Sequence, residues 1–205
     1  MLRGKRKAGI CSRPGSPSTC DMSNNRQPEP HLPKPWDGFL AEVDRLLSRP
    51  AQLHLLGGFV LTTVYGLPRP TADIDCVSVI PHETLQEILQ IAGRDSRLAR
   101  KHKVYLDLVG VADYPEDYAE RIVEVFPDRF SKLQLFALEA HDLVLAKLTR
   151  NHPQDIEDVK FLAAGNRLNP RTLEERYYRE VRPHLVNEAR HDLTLRLWLE
   201  ACFPR

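Results

Sequence analysis

The 205-residue sequence has few cysteines, and no long apolar run interrupts it. Its four cysteines (Cys11, Cys20, Cys76 and Cys202) lack CxxC spacing, so the pattern indicates free thiols in a reducing cytosol rather than a zinc site or a disulfide framework. No stretch approaches the roughly 18 apolar residues that a membrane span needs, and the basic N-terminus lacks the apolar segment of a secretory signal. We therefore predict a cytoplasmic protein with no membrane partner.

Net charge is also nearly absent, because 29 basic residues face 28 acidic ones. This balance excludes a global basic field for nucleic acid, so any site for a polyanion must be local. The glycine-rich phosphate loops GxxxxGK[ST] and GxGxxG are both missing. Hydrophobic residues make up 42% of the chain, which is enough for a sizeable core.

The chain divides into three parts by composition. Residues 1–35 are rich in Pro, Ser, Asn and Arg and poor in large apolar residues, which predicts a disordered extension. Residues 36–138 alternate helical and strand patterns, and residues 139–205 are helical, so the fold class is α/β (α+β). The patterns predict helices at 36–49, 59–67, 82–98, 139–150 and 154–165 with one or two more after 171, and strands at 53–56, 72–80, 103–111, 121–130 and 132–138.

Two carboxylates stand in the strand pattern ADIDCVSVI of residues 72–80. Asp73 and Asp75 are two positions apart, so they face the same side of a strand and repel one another unless a cation lies between them. A divalent ion with oxygen ligands fits this pair, and magnesium usually accompanies substrate phosphates. Asp107 interrupts the apolar strand of residues 103–111. If the two strands are neighbours, three carboxylates converge and can hold two metal ions.

Taken alone, the Asp-Ile-Asp pattern favours two acids at a strand end in water, or acids paired with arginine, over a metal site. Gly57-Gly58 precedes it, between a predicted strand and a predicted helix. Glycines there let backbone N–H groups approach a phosphate, although an isolated Gly-Gly pair indicates only a tight turn. The phosphate-binding hypothesis therefore depends on the glycines and the acids together.

At residues 55–81 the sequence LLGGFVLTTVYGLPRPTADIDCVSVIP resembles the signature of the polymerase-beta-like nucleotidyltransferase superfamily. In that signature an apolar residue and Gly-Gly precede Asp-x-Asp in a strand, and a third acid follows on a later strand. The arrangement Gly-Gly … Arg-x-Thr-x-Asp-Ile-Asp, with the downstream motifs around Lys147 and Asp158, is similar to a narrower branch. That branch contains uncharacterised bacterial nucleotidyltransferase domains and the AbiEii-type toxins of toxin–antitoxin pairs. The resemblance covers most of residues 53–165.

This resemblance implies a small mixed β-sheet core flanked by helices within residues 36–138, followed by a C-terminal helical region. It implies that Asp73 and Asp75 ligate magnesium, and that Asp107 completes the metal site and helps to deprotonate an acceptor hydroxyl. Lys147 would be catalytic and would also contact the nucleotide. The candidate nucleotide-binding residues are Gly57, Gly58, Arg69, Thr71, Lys147 and Asp158.

Several of these positions have other interpretations. Arg69 could hold a phosphate or balance the carboxylates at rest. Lys147 also fits a surface lysine paired with a nearby acid such as Asp142. Asp155 competes with Asp158 for the last motif, and both could simply charge the first turn of a helix. A basic cluster could guide a polyanion or mark a solvated helix end; it comprises Arg94, Arg97, Arg100, Lys101 and Lys103.

The expected activity is magnesium-dependent transfer of a nucleoside monophosphate from a nucleoside triphosphate (NTP) to an acceptor hydroxyl, with two magnesium ions. The toxin-like resemblance implies RNA, such as a tRNA 3′ end, as the acceptor, and a cognate antitoxin protein as a partner. Alternatives are a small acceptor of the aminoglycoside type, a protein hydroxyl, or a non-catalytic nucleotide-binding or interaction module.

Overall fold

The computed structural model describes residues 32–110 and 113–204. The predicted disordered extension, residues 1–35, lies outside the described residues except for its last four positions. The strands are β1 (Ala51–Leu56), β2 (Asp73–Ile80), β3 (Tyr105–Leu108), β4 (Val123–Val125) and β5 (Leu133–Ala137). The α-helices are α1 (Trp36–Leu46), α2 (Gly57–Thr63), α3 (Leu85–Ala92), α4 (Arg97–His102), α5 (Ala140–Arg150), α6 (Pro153–Ala164), α7 (Pro170–Arg176) and α8 (Glu188–Cys202).

The five strands form one mixed sheet in the order β3-β2-β1-β5-β4. The pairs β2–β3 and β1–β5 are parallel, whereas β1–β2 and β4–β5 are antiparallel. Helices α1, α3 and α4 contact one another, and α3 and α4 also contact β3. The predicted α/β class with a small mixed sheet is confirmed.

Alternation along β2 determines which side chains reach the core. Ile74 and Cys76 are fully buried, whereas Asp73, Asp75 and Val77 on the opposite face are only partly buried. Because successive side chains of a strand point to opposite faces, the same strand both anchors the core and presents two carboxylates beside each other. The short helix predicted at 59–67 is present as α2, but it begins at Gly57 directly after β1 and ends at Thr63, so the two glycines form its first turn.

The single helix predicted at 82–98 is wrong, because the segment forms a 3₁₀ turn (His82–Thr84), α3 and then a separate α4. Gly93 ends α3 in an extended conformation, and a Cβ there would lie 2.4 Å from the carbonyl oxygen of Leu89. Ser96 then starts a new helix, since its Oγ accepts a hydrogen bond from the Ala99 N–H at 3.0 Å.

The C-terminal region is helical, as predicted, but more segmented than one or two helices. After α7 the chain continues through a π-helix (Tyr177–Val181) and a 3₁₀ turn (Arg182–His184) before α8. Helices α5, α6 and α8 contact one another, and α7 contacts α5. None of the described helices is both long and apolar enough to cross a membrane.

Candidate active site

Three aspartates share one face at the edge of the sheet. The parallel register of β2 and β3 places Asp75 beside Asp107 and Asp73 beside Tyr105. Residues paired across parallel strands point to the same face, so the side chain of Asp107 joins those of Asp73 and Asp75. The predicted adjacency of the two acidic strands is therefore present.

Gly57 lies against the carboxylate of Asp75. Its φ is +74°, and a Cβ at this position would stand 1.9 Å from Asp75 Oδ2. Only glycine accommodates both the left-handed backbone and this close approach. Gly57 thus connects β1 to α2 in a geometry that leaves room for Asp75.

Thr71 holds the carboxylate of Asp73 in place, and Gly58 packs against Thr71. Thr71 Oγ1 donates a hydrogen bond to Asp73 Oδ1. A Cβ at Gly58 would lie 3.3 Å from the side chain of Thr71, so the absence of a side chain there lets α2 pack against Thr71. Thr71, a candidate nucleotide-binding residue, therefore orients Asp73 in this structure.

The electrostatic environment of Asp75 is unusual for an aspartate. Burial and the negative charge of Asp73, with a smaller contribution from Asp107, raise the pKa of Asp75 to about 6 against an ordinary value of 3.8. Arg150 and Lys147 oppose this shift without cancelling it. The charged carboxylate is thus under-compensated by the protein's own groups, which is the condition under which a bound cation contributes most.

A cavity of about 310 Å³ opens beside Asp75. Its volume is at the lower end of the range for small-molecule sites. One wall comes from the end of β1, the start of α2 and β2, and the opposite wall comes from α5. The lining residues are Leu56, Gly57, Asp75, Val109, Asp113, Leu143, Ala146, Lys147, Thr149 and Arg150.

Lys147 lies on the helical wall of this cavity, but its ammonium group is engaged. The side chain is 6% exposed, and Nζ lies 3.2 Å from Asp155 Oδ1 and 2.9 Å from Asp158 Oδ2. The alternative of a surface lysine paired with Asp142 is wrong, because Lys147 is buried and Asp142 pairs instead with Arg121 and Arg176.

Both candidate acids of the last motif are buried and ion-paired. Arg69 binds Asp158 through two hydrogen bonds, of which the Nη2–Oδ2 bond is 2.9 Å long. Arg150 binds Asp155 through Nε at 3.1 Å and Nη2 at 2.6 Å, and the His152 N–H also donates to Asp155. Arg69 therefore balances a helical carboxylate rather than Asp73 or Asp75.

The basic cluster between α3 and β3 is partly engaged. Arg94 lies 3.4 Å from Asp107 Oδ2, and its guanidinium stacks 4.3 Å from the ring centroid of Tyr105. Lys101 pairs with Glu42 on α1. Arg94 is thus the member of the cluster that stands beside a candidate catalytic carboxylate.

Magnesium fits this donor set in its chemistry, though not as a closed cage. Within residues 32–110 and 113–204, no three His, Cys, Asp or Glu side chains are grouped as metal ligands. Magnesium, however, commonly binds through one or two carboxylates, with water and substrate phosphates completing its coordination. The partly buried oxygens of Asp73 and Asp75, with Asp107 alongside, match that mode of binding.

Sequence reasoning missed two charged residues of the cavity. Arg150 stood in the downstream motif three residues from Lys147, a spacing that shares one face of a helix, but nothing in the sequence indicated that this face would meet Asp75. Asp113 follows the strand of Asp107 by a few positions and carried no distinguishing pattern. Both line the cavity because the chain brings α5 and the segment after β3 together beside Asp75.

Comparison with known families agrees with this site. Residues 39–200 match the family model described as "Nucleotidyltransferase of unknown function (DUF6036)". Because the match spans most of the chain and includes the carboxylate strands, α5 and α6, the chain belongs to this nucleotidyltransferase family. No curated protein and no solved structure matches it. The family description supports a nucleotidyltransferase role in general and leaves the substrate open.

Proposed function

We propose that the protein is a magnesium-dependent nucleotidyltransferase that transfers a nucleoside monophosphate from an NTP to an acceptor hydroxyl and releases pyrophosphate. One observation carries the proposal: Asp75 lies partly buried on a cavity wall, with Asp73 and Asp107 on the same face. Among the described residues, no Lys, Arg or His forms an ion pair with Asp73 or Asp75. A pair of neighbouring carboxylates without a cationic partner is suited to a divalent cation.

Each group of the site has a part in this reaction. Asp73 and Asp75 would hold up to two magnesium ions, which neutralise the phosphates and lower the pKa of the acceptor hydroxyl. Asp107 would accept the proton of that hydroxyl as its oxygen attacks the α-phosphorus. The N–H groups of Gly57 and Gly58 would face the phosphates at the start of α2. The protein forms no covalent bond to substrate, so catalysis depends on positioning and charge neutralisation.

We further propose RNA, such as a tRNA 3′ end, as the acceptor, in a cytoplasmic toxin controlled by a cognate antitoxin protein. The resemblance of Arg69, Thr71, Asp73 and Asp75 to the AbiEii-type pattern supports this choice. The Arg94–Tyr105 pair beside Asp107 agrees with it, because a guanidinium and an aromatic face suit a phosphate and a base of an incoming strand.

The test is label transfer. Purified protein is incubated with magnesium and each α-³²P-labelled NTP, together with total RNA, a protein extract or a panel of small hydroxylated acceptors. We expect label to enter RNA with the intact protein. In Asp73→Asn and Asp75→Asn we expect a loss of at least about a hundredfold, because the metal site is removed.

The matched control is Asp128→Asn, which makes the same change at an exposed aspartate with no hydrogen-bond partner among the described side chains. It should transfer label as the wild type does. Label in protein or in a small acceptor would keep the reaction class and change the acceptor. No transfer to any acceptor, with either magnesium or manganese, would contradict the proposed function.

A further inference from the structure

Two cations line the cavity opposite Asp75, and they differ sharply in exposure. The side chain of Lys147 is 6% exposed, whereas that of Arg150 is 51% exposed. Both lie on α5, three residues apart, so both face the same side of the helix. A ligand entering the cavity from solvent therefore meets the guanidinium of Arg150 more readily than the ammonium of Lys147.

Arg150 also has more free hydrogen-bond donors than Lys147. An ammonium has three N–H donors, and that of Lys147 lies within bonding distance of two buried carboxylates, Asp155 and Asp158. A guanidinium has five donors, and Arg150 uses only Nε and Nη2 on Asp155. No acceptor among the described residues bonds its Nη1, so Arg150 can bind an anion without leaving Asp155.

The charges of the helical network leave one positive charge in excess. Its two carboxylates, Asp155 and Asp158, are shared by three cations, Arg69, Lys147 and Arg150. Lys147 lies between the two acids, and Arg69 is held on Asp158 by a two-bond contact. Arg150 is the more exposed end of this chain of ion pairs, with 51% of its side chain exposed against 29% for Arg69, so the excess charge is most available to a ligand there.

Resting on the proposed function, we infer that Arg150 is the residue that contacts the phosphates of the bound NTP, and that Lys147 instead holds Asp155 and Asp158 in place. A planar guanidinium binds phosphate oxygens in pairs, which a point-charge ammonium does not. The cavity then presents the carboxylate of Asp75, a proposed metal ligand, on one wall and the cation of Arg150 on the other. This arrangement suits a metal-bound triphosphate rather than a free carboxylate or an uncharged ligand.

The experiment measures the equilibrium binding of each of the four NTPs, and of the matching nucleosides, by calorimetry in magnesium. We expect Arg150→Ala to weaken triphosphate binding about tenfold or more, with little change in nucleoside binding. The unfolding midpoint should fall, because the buried Asp155 loses two hydrogen bonds, so retained nucleoside binding is the sign that the variant is folded. Arg150→Lys should restore part of the loss, because the charge returns without the paired geometry. Arg171→Ala, which removes an exposed arginine on α7 outside the cavity, should bind as the wild type does.

The variant Lys147→Met distinguishes the role of Lys147 from that of Arg150. We expect a smaller loss of triphosphate affinity than in Arg150→Ala, since Arg69 and Arg150 still hold the two acids. Unchanged triphosphate binding in Arg150→Ala would overturn the inference, even if Lys147→Met cannot be purified in folded form. A wild-type protein that binds no NTP would contradict the proposed function, and this inference with it. Binding by the wild type that survives Arg150→Ala contradicts the inference alone.

Discussion

Two sets of aspartates lie near the same cavity, and the surrounding residues shift the pKa of Asp75 in one set and of Asp155 in the other in opposite directions. On the strands, burial and like charge raise the pKa of Asp75 to about 6. On α6, burial also acts to raise the pKa of Asp155, but the hydrogen bonds from Arg150 and the charge of Lys147 outweigh it and hold the pKa below the usual 3.8. Asp155 is the more deeply buried of the two and yet the better compensated.

The difference in compensation indicates different roles: the helical aspartates support the fold, and the strand aspartates form the candidate site. Asp155 and Asp158 are neutralised by cationic side chains of the same chain, so they require no bound ligand. Their ion pairs link α5 and α6 to Arg69 on the α2–β2 connection. Asp73 and Asp75 have no such partners among the described residues. A charge that a fold leaves uncompensated is a reason to look for a ligand, whereas a neutralised one is weak grounds for function.

The largest effect is expected when Asp155, the buried acid of α6, loses its charge. Asp155→Asn should lower the free energy of unfolding by about 3–5 kcal/mol, because it breaks a buried, hydrogen-bonded ion-pair network. The measurement is urea unfolding at pH 7.5 without metal. A change below about 1 kcal/mol would show that the network is not a structural support.

A second test concerns the contact of Gly57 with Asp75. Gly57→Ala should reduce label transfer about a hundredfold or more. The new Cβ would lie 1.9 Å from Asp75 Oδ2, which is too close for two non-bonded atoms, so the carboxylate would be displaced. Gly66→Ala is the matched control, since Gly66 also has a positive φ (+79°) but no atom within 4 Å of its Cβ position. Both variants should lose about 1–2 kcal/mol of stability from backbone strain. Equal activity in the two variants would contradict the close-approach explanation.

The same substitution at Asp75 should act in the opposite direction to that at Asp155. Above pH 6 the folded protein carries a penalised charge at Asp75, so Asp75→Asn should raise the metal-free free energy of unfolding by about 1–3 kcal/mol. The penalty declines as the pH falls through about 6, and below 3.8 both states are protonated and the gain disappears. Urea unfolding across this pH range measures it. A destabilising effect at pH 7.5 would mean that Asp75 has a protein partner after all.

The smallest effect is expected at Arg94. This residue pairs with Asp107 at 3.4 Å, but the two side chains are 64% and 48% exposed. Solvent-exposed pairs contribute little, so Arg94→Gln should change stability by less than about 1 kcal/mol. A larger loss would show that Asp107 belongs with the compensated acids rather than with the site, and thermal unfolding distinguishes the two.

Much of the strand side of this site could be predicted from sequence because its signals are local. The two-residue spacing of Asp73 and Asp75 fixes a shared face, and Gly57-Gly58 marks the turn from β1 into α2. The adjacency of Asp107 required only that its strand lie beside β2. These properties follow from a period of two and from backbone geometry, and the register confirmed them.

The helical side could not be predicted in the same way, because its roles depend on long-range pairing. Arg69 lies 89 residues from Asp158, yet the two form a two-bond ion pair. No periodicity specifies which of several nearby acids a lysine or an arginine will meet. The break of the 82–98 segment at Gly93 was missed for a related reason, because the apolar spacing continued across it while the backbone did not.

The most direct measurement is binding of Mn²⁺, as a paramagnetic substitute for magnesium, followed by electron paramagnetic resonance with and without NTP. The wild type and Asp128→Asn are expected to bind the ion, and to bind it more tightly with NTP, because phosphates complete its coordination. Asp73→Asn and Asp75→Asn are expected to lose that binding while remaining folded. Ion binding that is equal in all four proteins would contradict a divalent-cation site on the strand carboxylates.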